Sequence, residues 1–98
     1  MIQLTTPQLT TVRAIWRRHI PDRQVLVFGS RAQGKAKPFS DLDLAIMGLK
    51  PLTLAESSAL QSAFSASDLP FKVDLVDWAS VSDEFRRVIK QSGKEIKK

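Results

Sequence analysis

Val25 to Met47 reads "VLVFGSRAQGKAKPFSDLDLAIM", and where this stretch is divided decides the fold. Taken from Gly29 it comes close to a P-loop: Gly29, four residues, Gly34, Lys35, then Ala36 where a Ser or Thr hydroxyl is needed for magnesium. A P-loop lysine also opens a substantial helix, whose amides and dipole cradle the phosphates. Pro38 removes a backbone donor and disfavours helical geometry at Lys37, and a strand pattern begins a few residues on. That leaves no room for the helix, so the P-loop division fails.

The other division places a strand, a turn and a second strand in the same residues. "VLVF" is an apolar run of the kind buried on both faces of a sheet. Gly29 and Ser30 begin a short turn, and "SDLDLAIM" then alternates, with Leu42, Leu44 and Ile46 on one face and Asp41, Asp43 and Ala45 on the other. The intervening loop is too short for a crossover helix, so these two strands are expected to be antiparallel.

Working outward, Thr6 and Pro7 open a first helix in which Leu9, Val12, Ile15, Trp16 and His19 recur at helical spacing, and "HIPDR" closes it. After "GLKPLT", a turn and cap, comes a helix with Leu54, Leu60 and Phe64 on one stripe. "PFKVDLVDW" reads as a third strand. Ser82 caps a last helix with Phe85, Val88 and Ile89 as its apolar face and Gly93 as its stop, and "KEIKK" is expected to fray. This order predicts an α/β (α+β) fold, a small mixed β-sheet flanked by helices, in one domain over residues 1–98.

Composition narrows the chemistry. The 98 residues include no cysteine, which excludes disulfides and thiolate sites and leaves oxygen ligands for any metal. No signal-peptide pattern and no apolar run of membrane-spanning length occurs, so a cytoplasmic protein without membrane contact is expected. The net charge of +5 is uneven: acids outnumber lysines from Asp41 to Asp77, and the flanks carry the basic excess. That asymmetry is compatible with nucleic-acid, nucleotide or acidic-partner binding as well as with solvated helix faces, so charge alone decides nothing; direct nucleic-acid binding is not expected.

Asp41 and Asp43, two apart on a strand, leave the same face with Cα atoms about 7 Å apart. Carboxylates converging to about 5 Å repel by about 3 kcal/mol at an effective dielectric of 20, a cost that a divalent cation relieves. Magnesium, which keeps several waters and takes one or two carboxylates plus substrate phosphates, suits such a pair. Asp74, a lone acid between Val73 and Leu75, is the expected third carboxylate. Asp77 is its rival, although three residues along a strand puts it on the opposite face. Gly29 allows backbone to approach a ligand closely, Ser30 offers an amide and a hydroxyl to phosphates, and Arg31 and Lys35 are further phosphate candidates set against ordinary surface roles. Trp16, Trp78 and Phe85 are expected in the core, with a partner interface as the alternative, and His19 is expected to be structural.

Gly29-Ser30, the ten-residue gap, Asp41 and Asp43, then Asp74 among apolar residues, resemble the signature of the DNA polymerase β-like nucleotidyltransferases. Within that superfamily, the short chain, "FGSRAQGKAKPFSDLDLAI", "VDLVD" and "FRRVIKQSG" are similar to the minimal nucleotidyltransferases, the MntA-type antitoxins encoded beside HEPN-domain toxins. The resemblance implies a magnesium-dependent enzyme, with two Mg2+ ions and ATP as substrate. It implies that Asp41, Asp43 and Asp74 are catalytic metal ligands and that Gly29, Ser30 and Arg31 bind nucleotide. The implied reaction is AMP transfer to a hydroxyl, a tyrosine's, of the toxin partner. The chain has no tyrosine of its own, so that acceptor must come in trans. A module that neutralises its partner by complex formation alone is the other reading.

Overall fold

The computed structural model of the chain describes residues 2–97. Helix α1 spans Thr6–His19, and its cap is Thr5 rather than the expected Thr6. The reason lies three residues on: Gln8 donates its backbone N–H to Thr5 Oγ1 at 3.2 Å, and its side chain accepts the Thr5 N–H at 2.9 Å, so the reciprocal box closes only from Thr5. Trp16 ends the helix firmly by donating its indole N–H to the Arg23 carbonyl at 2.7 Å. Strand β1 is Val25–Phe28, β2 Leu42–Ile46, α2 Leu54–Ser65, β3 Val73–Asp77, α3 Asp83–Ser92 and β4 Lys94–Glu95. Thr53 and Glu56 form a second capping box on α2, and Ser82 caps α3 as expected.

The sheet runs β3-β2-β1-β4 and is mixed, β1 pairing antiparallel with β2 and β4 and β2 parallel with β3. Alternation divides its side chains between two faces. On one, Val25, Val27, Leu42, Leu44, Ile46 and Val73 are buried under α1 and α2, against Val12, Trp16, Leu60 and Phe64. On the other, Phe28 and Ala45 are buried with Ile89 of α3, and the Phe28 ring meets Phe85 edge-on with centroids 5.8 Å apart.

Three expectations are corrected. Leu54 is 84% exposed, because it precedes Leu60 by six residues and so lies about 120° round the helix from it, off the stripe that Leu60 and Phe64 bury. Val88 is half exposed, leaving Phe85 and Ile89 as the contact face of α3. The tail does not fray along its described length: Lys94 and Glu95 pair with Val27 and Leu26, and Ile96, 2% exposed, donates its N–H to the Val25 carbonyl at 3.0 Å. Burial of Ile96 in the main core holds β4 down, whereas Lys98 lies outside the described residues.

Candidate active site

The register brings the acids together. Asp43 of β2 stands opposite Phe28, the last residue of β1, on one side and opposite Asp74 of β3 on the other. Phe28 leads into the turn Gly29–Arg31, so the glycine-serine turn and both strand carboxylates meet at one end of the sheet. Asp41 falls one residue before β2 rather than within it, exposed at the end of the loop. It still reaches Asp43 electrostatically. Burial first, and then the charges of Asp74 and Asp41, raise the Asp43 pKa above its ordinary value. Asp74 is half exposed and pairs with Lys72, Nζ to Oδ1, at 3.3 Å.

Gly29 fits this corner for a steric reason. Its φ is +72°, and a Cβ there would stand 2.5 Å from Asp43 Oδ2. A side chain at position 29 would therefore both strain the turn and fill the space beside the carboxylate. This open space, beside an oxygen-only donor set whose charges repel, suits a hard divalent cation that brings waters and substrate phosphates. Among the described residues no three acidic or imidazole groups stand close enough to cage an ion by themselves. Asp41, Asp43 and Asp74 are the candidate ligands for such an ion, with coordination left to be completed from outside the chain.

Arg31 is not the free cation expected of a phosphate partner. It is 5% exposed, donating from Nη1 to the Gln3 carbonyl at 2.8 Å, and from Nε and Nη2 to the Ser40 carbonyl at 3.1 and 2.9 Å. Its guanidinium also lies 3.9 Å from the centroid of the Phe71 ring, and burial lowers its pKa without a carboxylate partner to oppose the effect. The correction follows from geometry: Arg31 faces inward and fastens the loop that delivers Asp41. Gln3, which the sequence reading did not single out, fastens the same loop by accepting the Ala36 N–H at 2.7 Å. No local pattern signals that contact, which joins residues 33 positions apart. Lys35 stays exposed on the loop. Asp77, the rival of Asp74, points to the other face as expected and accepts the Leu52 N–H at 2.8 Å, fixing the approach to α2.

Of the three aromatic residues set between core and interface, Trp16 is buried, Phe85 packs on Phe28, and Trp78 is partly covered with the Arg86 guanidinium 5.0 Å from its ring centroid. An apolar groove of about 830 Å³, walled by Leu4, Pro38, Phe39 and Pro70, opens beside the loop before Asp41. The acids do not line it.

The geometry agrees with what comparison with known proteins finds. A family model described as polymerase beta, nucleotidyltransferase, matches residues 12–98. The chain is 46% identical over 90 residues to a Haemophilus influenzae protein named "Probable protein adenylyltransferase MntA", covering 92% of this chain and 79% of that one. A chain of a solved toxin-antitoxin structure with AMP-PNP superposes with a TM-score of 0.75 at 30% identity, over 89% of this chain and 70% of that one. A solved complex of a tri-AMPylated Shewanella oneidensis HEPN toxin with an MNT antitoxin gives 0.66 at 27% identity, over 89% and 66%.

Proposed function

This chain belongs to the polymerase β nucleotidyltransferase family, and we propose that it is an antitoxin that transfers AMP from ATP to a tyrosine hydroxyl of a HEPN-domain toxin partner. The single observation that carries the chemistry is the register: Asp43 beside Asp74 on one side and beside the start of the Gly29-Ser30 turn on the other. The named relatives, an adenylyltransferase and antitoxins bound to toxins, support the choice of nucleotide and partner.

In this reading Asp41, Asp43 and Asp74 hold magnesium, two ions being expected. Held there with ATP, such an ion would supply charge neutralisation of the phosphates and a more electrophilic α-phosphorus. The Gly29-Ser30 turn seats the distal phosphates, because only glycine leaves room there beside Asp43. The acceptor oxygen forms a bond to the α-phosphorus, and the bond from that phosphorus to the bridging oxygen breaks. Pyrophosphate leaves with the electron pair. The acceptor's proton passes to a carboxylate oxygen of Asp74, which stands half exposed at the sheet edge where an incoming side chain can reach it. The acceptor comes in trans, since this chain has no tyrosine.

Incubation with labelled ATP, Mg2+ and the toxin partner is expected to label the partner, and the double variant Asp41→Asn, Asp43→Asn is expected to abolish the label. Labelling that persists in the double variant would sink the catalytic assignment. Full neutralisation of the toxin by an unlabelling double variant would instead favour inhibition by complex formation alone.

A further inference from the structure

Lys72 lies immediately before β3, and its carbonyl accepts the Leu42 N–H at 2.9 Å. Leu42 and Asp43 stand opposite Val73 and Asp74, so one step back along the same parallel register Lys72 falls opposite Asp41. Being two residues from Asp74, it also shares that residue's face of the sheet. Lys72 therefore lies at the register position beside Asp41 and on the face of Asp74. Its Nζ already lies 3.3 Å from Asp74 Oδ1.

The exposure of the two side chains, 71% for Lys72 and 40% for Asp74, tells against a purely structural pair. A bridge so open to water holds little of the fold together. We propose that Lys72 is the resident counter-cation of Asp74 and couples divalent-metal binding to nucleotide binding. Without nucleotide, the ammonium occupies Asp74 and disfavours a divalent ion. With nucleotide, the triphosphate gives the displaced ammonium a new anionic partner, and metal and nucleotide then bind together. The inference rests on the nucleotidyltransferase reading of the site. It adds Lys72 to that reading as a positioning residue.

The test is Mn2+ binding, followed by electron paramagnetic resonance on the full chain, with and without a nonhydrolysable ATP analogue. At about 7 Å in water, an ammonium and a divalent ion repel enough to weaken binding about sevenfold. Lys72→Met is expected to tighten binding of Mn2+ alone by about that factor and to lower the degree to which the analogue enhances it. Lys72→Arg, which keeps the charge, is expected to restore wild-type coupling, an outcome that mere packing by the lysine stem would not give. Unchanged Mn2+ affinity and coupling in Lys72→Met overturns this inference alone. Failure of the wild-type chain to bind Mn2+ even with the analogue overturns the metal reading of the carboxylates, and this inference with it.

Discussion

Asp43 carries a cost at neutral pH that its neighbours impose. Its pKa is raised in the folded chain by burial, and further by Asp74 and Asp41, so the folded state holds that proton more tightly than the unfolded chain does. The resulting stability is fully present below the ordinary carboxylate range and is lost as pH rises through the elevated folded value. Asp43→Asn is therefore expected to raise the thermal midpoint by a few degrees at pH 7 without divalent metal, with the gain vanishing below the ordinary carboxylate range. Calorimetry across pH checks this. An Asn variant less stable than wild type at pH 7 would mean that burial and charge are compensated elsewhere. At the same scale, Gly29→Ala puts a Cβ against Asp43 Oδ2 at a φ of +72° and is expected to cost about 1–3 kcal/mol in denaturant unfolding. It should abolish transfer as well, because the methyl occupies the space beside the carboxylate. Arg31→Met leaves the Gln3 and Ser40 carbonyls without their donor and is expected to cost about 2–4 kcal/mol. The acids were legible in the sequence as residue types at a spacing. The inward turn of Arg31 was not, because it depends on Phe71 and Gln3, which reach it only once the chain has folded.

At the scale of elements, the parts that local chemistry dictates were readable. The apolar "VLVF", the alternation after Ser40, the Ser82 cap and the short antiparallel connection follow from propensity and period, and the structure has each of them. The β4 strand was not readable. Two residues carry too little pattern, and they become a strand only because Ile96 enters the core formed by α1 and the first two strands. Ile96→Ala is accordingly expected to cost about 2–5 kcal/mol, read by chemical denaturation. A cost near zero would mean that the pairing of Lys94 and Glu95 contributes nothing to the fold. The first turn of α2 shows the converse: Leu54 reads as part of a stripe with Leu60 and Phe64, but six residues are one and two-thirds turns, which sets Leu54 about 120° round the helix from Leu60 and leaves it in solvent.

For the whole molecule, the arrangement of layers leaves the candidate site open. Helices α1 and α2 cover one face of the sheet, while α3 alone packs on the other, and the acids lie on the α3 side with Asp41 exposed and Asp43 and Asp74 only partly covered. A surface site of this kind admits a side chain carried by another folded protein. No helix among the described residues is long and apolar enough to cross a membrane. The strand order has a further consequence, for motion. Asp43 sits on β2, which is hydrogen-bonded on both sides, whereas Asp74 sits on β3, at the rim of the sheet. Amide hydrogens of β2 should exchange with solvent only when the entire sheet opens, and those on the outer side of β3 should exchange through small local openings. One carboxylate is thus a fixed reference point and the other an adjustable one, so the half of the candidate site on β3 can breathe while the half built on β1 and β2 stays still.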